Sequence, residues 1–487
     1  MFDRLEDGVR ELGLKLAECS ATLAKSQAAA IMPLSVDVSI DGWSPEVLMA
    51  DTHVYPKVYW QSRGAQQYSF AMGCARQWHN QDAFAPLSQA PENRGGMRYY
   101  WLSSFDAARP SSQNNVTDPL AQVYKRREKT SSARLIVPML EVTAGPSVIR
   151  LQLNVCPQIN CQRYEDLLAL LTATLPACTE KGSLPAVVRK DFPSFLHWQQ
   201  MIAEVHRKFD ASELKKVVLA RKTVLSAGYS VPFWRLFLNW QRQTENCFGF
   251  AFQESVETGF ISFSPEQLFA REGKSLRTEA LAGTNRRGTT AAGDRQNELS
   301  LLSDSKNIYE HRLVVEDLQN KLATISDDIR GEQTRCSKQR HIQHLYYPMR
   351  ARLKSNVTDA DIISTLHPTA AIAGLPQEAA CSLIDNLEPD ERGYFAGLFG
   401  MMQGNSSEFA VGIRSATVTG AEVCLFAGAG IVPESSAANE WNELEDKIAV
   451  PMSLFNEVRQ SVSAQAVTRK NGNVEAAVAE PGAMVSP

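Results

Sequence analysis

Along the chain, apolar residues fall at helical spacing in a few stretches and in short, strand-like runs in many others. Phe2, Leu5, Val9, Leu12 and Leu16 recur every three or four positions and predict an amphipathic helix at the N-terminus. In the first 180 residues the runs VLMADTHVYPKVYWQ, QYSFAMGCA, MRYYWLSSF and SVIRLQLNV predict strands joined by polar, turn-rich connections. A leucine-rich helix, LLALLTATL, precedes Pro176, and the polar, proline-bearing stretch around residues 179–194 reads as a connection. After it come helices at HWQQMIAEVHRKFD and PFWRLFLNWQRQ, and strands at KVVLARKTVL, FGFAF, FISFS and LRTEAL. Period-two patterning returns at EFAVGIRSATV, where Phe409, Val411 and Ile413 share one face and Arg414 takes the other. Helices grouped with hairpin-like strands, without strict strand-helix-strand alternation, predict an α+β fold with mainly antiparallel sheets. No internal repeat of 20 to 50 residues is visible. From Gln460 on, an Ala, Ser, Val and polar composition without period predicts a disordered tail over 460–487.

Composition narrows the class. A chain of 487 residues with 44% apolar and 21% charged side chains suits a soluble globular protein. Its formal charge of −4 leaves no footprint for nucleic acid or an anionic membrane, so a small-molecule partner is expected. The acidic start is unlike a signal peptide, and no apolar run is long enough to span a membrane. Nine scattered cysteines without a CxxC pair point to reduced thiols and a cytoplasmic protein.

Four clusters could carry chemistry. Lys216 heads the apolar run KVVLAR; an ammonium entering such a strand can be tuned toward a base, although an isolated strand-edge lysine more simply snorkels to water, as is expected of Lys215. Glu266 in SFSPEQLF follows Pro265, which fixes a turn; burial would make it a general acid, and exposure only a turn glutamate. Glu310 and Asp317, seven residues apart in SDSKNIYEHRLVVEDLQNKL, share a helical face beside an apolar stripe, with solvated helix charge as the plainer reading. The fourth, FAGAGIVPESSAANEWNELEDKI, sets Gly428-Ala429-Gly430 ahead of Glu440, Glu443, Glu445 and Asp446. Glu440 and Glu443 project from one helix face and can point two carboxylates at a hard cation, or Glu443 can pair with Lys447 four residues on. The glycines are a weak dinucleotide fingerprint, since no GxGxxG is present.

Together the clusters resemble the chorismate-utilising enzymes, and among them the isochorismate synthases. The blocks KVVLAR, SPEQL, LRTEALAGT, EHRLVVED, IQHLYYPMRARL, LHPTAAIAGLP, FAVGIRSA and FAGAGIVPESSAANEWNELEDK run in family order across residues 216 to 447, while the N-terminal 180 residues add only a loose likeness around YPKVYWQ and MRYYW. The resemblance implies two large, mainly antiparallel sheets packed together with helices outside, as in anthranilate synthase component I. It divides the chain into an N-terminal scaffold portion, 1–190, and a catalytic portion, 195–458. The implied substrate is chorismate, a diacid, with Mg²⁺ as cofactor and no assembly beyond a monomer or weak homodimer.

Carried over residue by residue, the resemblance makes Lys216 the base that activates water for attack at ring C2. Glu266 is the acid that protonates the departing C4 hydroxyl. Glu310, Glu440 and Glu443 are the Mg²⁺ glutamates. His344 and Ala371 line the ring site, and Arg414, Gly428 and Gly430 receive a carboxylate, the glycines as a turn that cradles it. One departure is Phe395, where several relatives carry Tyr; Tyr394 beside it is expected to face the other way. Ala282 stands where aminodeoxychorismate synthases place a nucleophilic lysine, and HPTAAIAGLP differs from the anthranilate-type PxGTxSGxPK. Salicylate-forming relatives carry Thr-Ala where this chain has Ala371-Ile372. These positions imply a reaction that stops at isochorismate, a product that a menaquinone, catechol siderophore or salicylate-derived route could each draw on. The alternatives are a salicylate synthase that also eliminates pyruvate and a non-catalytic chorismate-binding protein.

Overall fold

Two mainly antiparallel sheets face each other across an aromatic layer. The computed structural model describes residues 4–23, 30–39, 47–50, 52–89, 96–107, 132–173, 184–456 and 458–460. The larger sheet runs, neighbour to neighbour, through Met32–Val38, Ile149–Val155, Leu140–Ala144, Tyr68–Met72, Lys57–Gln61, Phe248–Gln253, Thr258–Ser264, Ser415–Thr419, Glu422–Ile431, Lys216–Ala227, Val187–Phe192 and Val458–Gln460. The smaller runs through Ser326–Gly331, Ile342–Leu353, Ser275–Arg286, Gln267–Glu272, Ser406–Val411, Leu398–Gln403, Arg98–Ser103, Ala133–Val137 and Arg76–His79. The α+β expectation is met. Both sheets mix strands from either side of residue 190: Lys57–Gln61 pairs with Phe248–Gln253, and Arg98–Ser103 with Leu398–Gln403.

Between the sheets lie Trp60, Phe248, Phe250 and Phe260 from one and Tyr100, Phe399 and Ala410 from the other. Phe250 and Phe399 stack with centroids 4.6 Å apart. Stacked and edge-on rings of this kind add to the area they bury, and they join the two sheets into one core. Outside, the helix Phe233–Arg242 lays Trp234 and Phe237 against Phe70, Tyr59 and Phe263. The helix Ser305–Ile325 starts where the Asp304 side chain accepts the Asn307 N–H at 2.8 Å, an N-cap that fixes the rotation of the helix and buries Glu310, His311, Val314 and Asp317 on one face. Asp317 proves to be structural, since it pairs with Lys321 and accepts the Ala370 N–H.

Three expectations are corrected. Residues 179–194 are not all connection, because Val187–Phe192 is a strand. Its alternate residues Val187 and Arg189 are buried, and Arg189 is neutralised by Asp191 and Glu445, which lets a charged segment sit in a sheet. The first β-like run is a strand only from Lys57, with a short helix at Val47–Ala50. EFAVGIRSATV is not one strand: Ser406–Val411 belongs to the smaller sheet and Ser415–Thr419 to the larger, and the chain crosses between them at 412–414. The expected tail lies, apart from Gln460, outside the described residues.

Candidate active site

The sheets diverge around a cleft of about 700 Å³ of free space, solvent at its mouth included. Glu266, Glu310, His344, Ala371, Arg414, Gly428, Gly430 and Glu443 all line it, so most of the sequence-derived candidates converge on one wall-to-wall site. Lys216 lies behind that lining, 1% exposed, with Nζ 3.0 Å from Glu310 Oε1.

Lys216 opens the strand Lys216–Ala227, where its neighbour across one edge is Leu375. Room for its ion pair comes from Gly430. A Cβ there would fall 2.1 Å from Glu310 Oε1 and 2.9 Å from Lys216 Cε, so one or both of those side-chain ends would have to move. This corrects the glycine turn: Gly428-Ala429-Gly430 is the end of the strand Glu422–Ile431, with Gly430 opposite Val218. The Gly428 carbonyl accepts from Lys447 Nζ at 2.7 Å. The glycines thus serve close approach in a strand, not a helix-leading loop.

Glu266 sits where the chain leaves Thr258–Ser264 in the larger sheet for Gln267–Glu272 in the smaller. Its N–H donates to Ser264 Oγ at 3.2 Å. Burial, with the nearby Glu279 carboxylate adding to it, pushes the Glu266 carboxyl up to about 8, against the opposing pull of Lys216 and Lys447. At neutral pH it is mostly a carboxylic acid with a proton to give.

The second crossover carries Arg414, whose φ of 50° is left-handed. For a residue with a Cβ this costs on the order of 1–3 kcal/mol, and it aims the guanidinium into the cleft. His344 holds it there. His344 Nδ1 lies 3.1 Å from the Gly283 carbonyl and Nε2 lies 3.2 Å from Arg414 Nη2. A carbonyl only accepts and a guanidinium only donates, so Nδ1 carries the proton and Nε2 accepts. Burial, and then the positive charge of Arg414, lower the imidazole to about 3, which keeps it neutral for this task. Burial also lowers Arg414, to about 10, so it stays charged at neutral pH. Gly283, at φ 75°, sits in a bulge of the Ser275–Arg286 strand that brings its carbonyl to His344.

Each of the three remaining glutamates has a lysine partner: Glu310 with Lys216, Glu440 with Lys306, and Glu443 with Lys447 at 2.6 Å. The plainer pairing of Glu443 with Lys447 is therefore present. Burial, followed by the charge of Glu443, raises Glu440 to about 7. Among the described residues no three acidic, histidine or cysteine side chains are gathered closely enough to form a ready-made metal cage. The donor chemistry nonetheless suits a hard divalent cation: only carboxylate oxygens, partly buried, currently balanced by ammonium groups.

Several lining residues were not anticipated. Arg392 crosses under the cleft, bonded to Glu388, the Ile372 carbonyl and the Val218 carbonyl. Lys447 faces the cleft as well as Glu443. Phe395 lines the wall stacked on Phe426, while Tyr394 turns away toward Ser132 and Phe260; the two face opposite ways as expected, but from a turn ahead of the strand Leu398–Gln403 and not by strand alternation. Ala282 is on the wall too, a methyl group where an amine would be needed to attack substrate.

The profile of a family described as chorismate binding enzyme matches residues 18–455. The isochorismate synthase MenF of Escherichia coli is 31% identical over 407 residues, covering 82% of this chain and 88% of that relative. Isochorismate synthase MenF of Haemophilus influenzae is 36% identical over 260 residues, 53% of this chain and 60% of its own length, so the match there spans under two thirds of that relative. The solved structure of the menaquinone-specific isochorismate synthase MenF from Escherichia coli superposes with a TM-score of 0.78 at 29% identity, covering 91% of this chain and all of that one. Anthranilate synthase component I from Streptococcus pneumoniae shares the fold, with a TM-score of 0.65 at 18% identity over 80% of this chain and 93% of that one.

Proposed function

Because the chain belongs to the chorismate-binding enzyme family, we propose that it is an isochorismate synthase, converting chorismate reversibly to isochorismate for menaquinone biosynthesis. The observation that carries the reading is Glu266: a buried carboxyl held protonated near neutrality, in a cleft that also holds a lysine, a fixed guanidinium and no amine at Ala282.

In this reading Lys216 takes a proton from a water molecule as that water attacks C2, the ring double bonds shift, and Glu266 gives its proton to the C4 hydroxyl, which leaves as water. One water enters and one leaves, so the net change is an isomerisation. Arg414, aimed by His344, holds a substrate carboxylate through its planar fork, and Ala371, Gly428 and Gly430 shape the wall against the ring and side chain. Glu310, Glu440 and Glu443 would hold Mg²⁺, which supplies positive charge against the second carboxylate of a dianion that three glutamates would otherwise repel. The proposal extends to a cytoplasmic location: no helix among the described residues is long and apolar enough to cross a membrane, and the described cysteines are free thiols.

The direct test is to incubate the purified protein with chorismate and Mg²⁺ and to identify products by NMR. Isochorismate alone supports the reading. Stoichiometric salicylate and pyruvate would make the protein a salicylate synthase, and unchanged chorismate would leave a binding protein.

A further inference from the structure

The backbone on both sides of Glu266 is held by a single ion pair whose cationic half comes from the N-terminal portion. Arg63 sits in the turn between Lys57–Gln61 and Tyr68–Met72. Its Nη1 donates to the Pro265 carbonyl at 2.6 Å and to Glu279 Oε1 at 2.6 Å, and its Nη2 donates to Glu279 Oε2 at 2.6 Å. Glu279 Oε1 also accepts the Gln267 N–H at 3.0 Å. The carbonyl just before Glu266 and the amide just after it therefore end on the same two side chains. A second tie runs alongside, since Glu408 accepts from Ser62 Oγ at 2.5 Å and from Gln267 Nε2 at 3.1 Å.

We propose that Arg63 and Glu279 are a positioning pair that fixes the aim of Glu266, so that the turn from the first 190 residues acts on the reaction through Glu266. The proposal rests on Glu266 being the proton donor. Glu266 occupies a crossover between sheets, where its own carbonyl accepts the Val411 N–H at 3.1 Å while the carbonyl before it and the amide after it are held by side chains. A bidentate, charge-assisted pair 4% exposed at Glu279 is a stiff one, and a lysine at position 63 would lack the rigid planar fork that meets both carboxylate oxygens side by side.

The pair also sets the local field. The charged groups facing Glu266 are Glu279 from the strand Ser275–Arg286, Lys216 from the strand Lys216–Ala227 and Lys447 from the helix Ala437–Ser453. Glu279 opposes ionisation of Glu266, and Arg63 offsets part of that charge. Removing Arg63 leaves Glu279 unbalanced and raises Glu266 further; removing the Glu279 charge lowers it.

The experiment compares the full-length protein with Arg63→Met, Arg63→Lys, Glu279→Gln and Glu266→Gln, each followed from chorismate across pH. Arg63→Met is expected to lose about 10- to 100-fold in kcat, the scale of a donor displaced by an ångström or so, with KM little changed. The alkaline limb of kcat, where the acid loses its proton, is expected to move up in Arg63→Met and down in Glu279→Gln, while Arg63→Lys keeps the limb and recovers only part of kcat. A purely structural pair would lower the melting temperature without moving the limb in opposite directions. That result, or unchanged kcat and limb in both variants while Glu266→Gln is inactive, overturns the proposal. Should Arg63→Met fail to fold, Glu279→Gln carries the test, because its amide oxygen still accepts the Gln267 N–H. Full kcat in Glu266→Gln would remove the donor assignment itself, and the positioning pair with it.

Discussion

Lys216 Nζ lies 3.0 Å from Glu310 Oε1, so the proposed base and one proposed metal glutamate are a single ion pair in this structure. A cation at Glu310 would compete with Lys216 for that carboxylate, which ties the readiness of the base to the metal. Removing the base outright is the simplest check. Lys216→Ala should fold and still bind chorismate, since its assigned task lies in the chemistry, and should lose about 10²- to 10⁴-fold in kcat. Steady-state kinetics together with a binding titration measure both; an unchanged kcat would return Lys216 to the role of a buried strand lysine.

Gly430→Ala tests the same pair from the backbone side. The added methyl would meet Glu310 and Lys216 at 2.1 Å and 2.9 Å, so one or both must move. Displacement by about an ångström at a reacting group costs roughly 10²-fold. The expected outcome is a folded protein with kcat lowered on that scale, whereas Gly428→Ala, whose nearest neighbour is a Val218 methyl at 3.1 Å, should lose less. Equal activity in the two variants would show that the pair tolerates rearrangement.

The metal assignment predicts that Glu310→Gln and Glu443→Gln each abolish activity, because a hard cation with few protein ligands cannot easily lose a carboxylate. Excess EDTA should silence the parent protein, and Mg²⁺ should restore it. Either variant working at full rate in EDTA would dismiss the metal site.

Glu266 gives two pH dependences. As an acid with a value of about 8 in the fold, it can donate below that pH, so kcat should decline as pH rises through about 8. Its ordinary value is 4.5, so between these limits the unfolded chain has already released a proton that the folded chain keeps. Stability is therefore lost as pH rises through that window, and Glu266→Gln should flatten this component of the melting temperature against pH. A variant that melts with the parent's pH dependence would mean that Glu266 ionises freely in the fold.

Which residues meet at the cleft was more legible in the sequence than the geometry that holds them there. Lys216 and Glu266 stand in runs whose local pattern alone favours a strand-edge lysine and a turn glutamate, and only the order of the family-like blocks singles them out. Gly428-Ala429-Gly430 reads as a turn because glycines ahead of acidic residues resemble one, whereas the need for Gly430 arises from Glu310, 120 residues earlier in the chain. Arg63 lies in an unremarkable Ser-Arg-Gly turn, and its task appears only when pairing of Lys57–Gln61 with Phe248–Gln253 brings that turn beside Pro265. The His344 to Arg414 bond likewise depends on a bulge at Gly283 and a left-handed φ at Arg414, neither of which a residue pattern announces.

Reversibility is the last expectation. Isochorismate synthesis exchanges one allylic hydroxyl for another on the same diene, with similar bonds broken and formed, so the equilibrium constant should be near one. In the reverse direction the carboxylate of Glu266 and the ammonium of Lys216 exchange roles, as microscopic reversibility requires. Two positions on the cleft wall motivate this expectation: Ala282 offers no amine, and Ala371-Ile372 stands where salicylate-forming enzymes are expected to carry Thr-Ala. Starting from purified isochorismate with Mg²⁺, ring-proton NMR should show chorismate appearing until both species persist at a plateau that is the same from either side. Complete conversion to salicylate and pyruvate would instead place pyruvate elimination within this cleft, and Ala371-Ile372 would lose its meaning as the feature that stops the reaction.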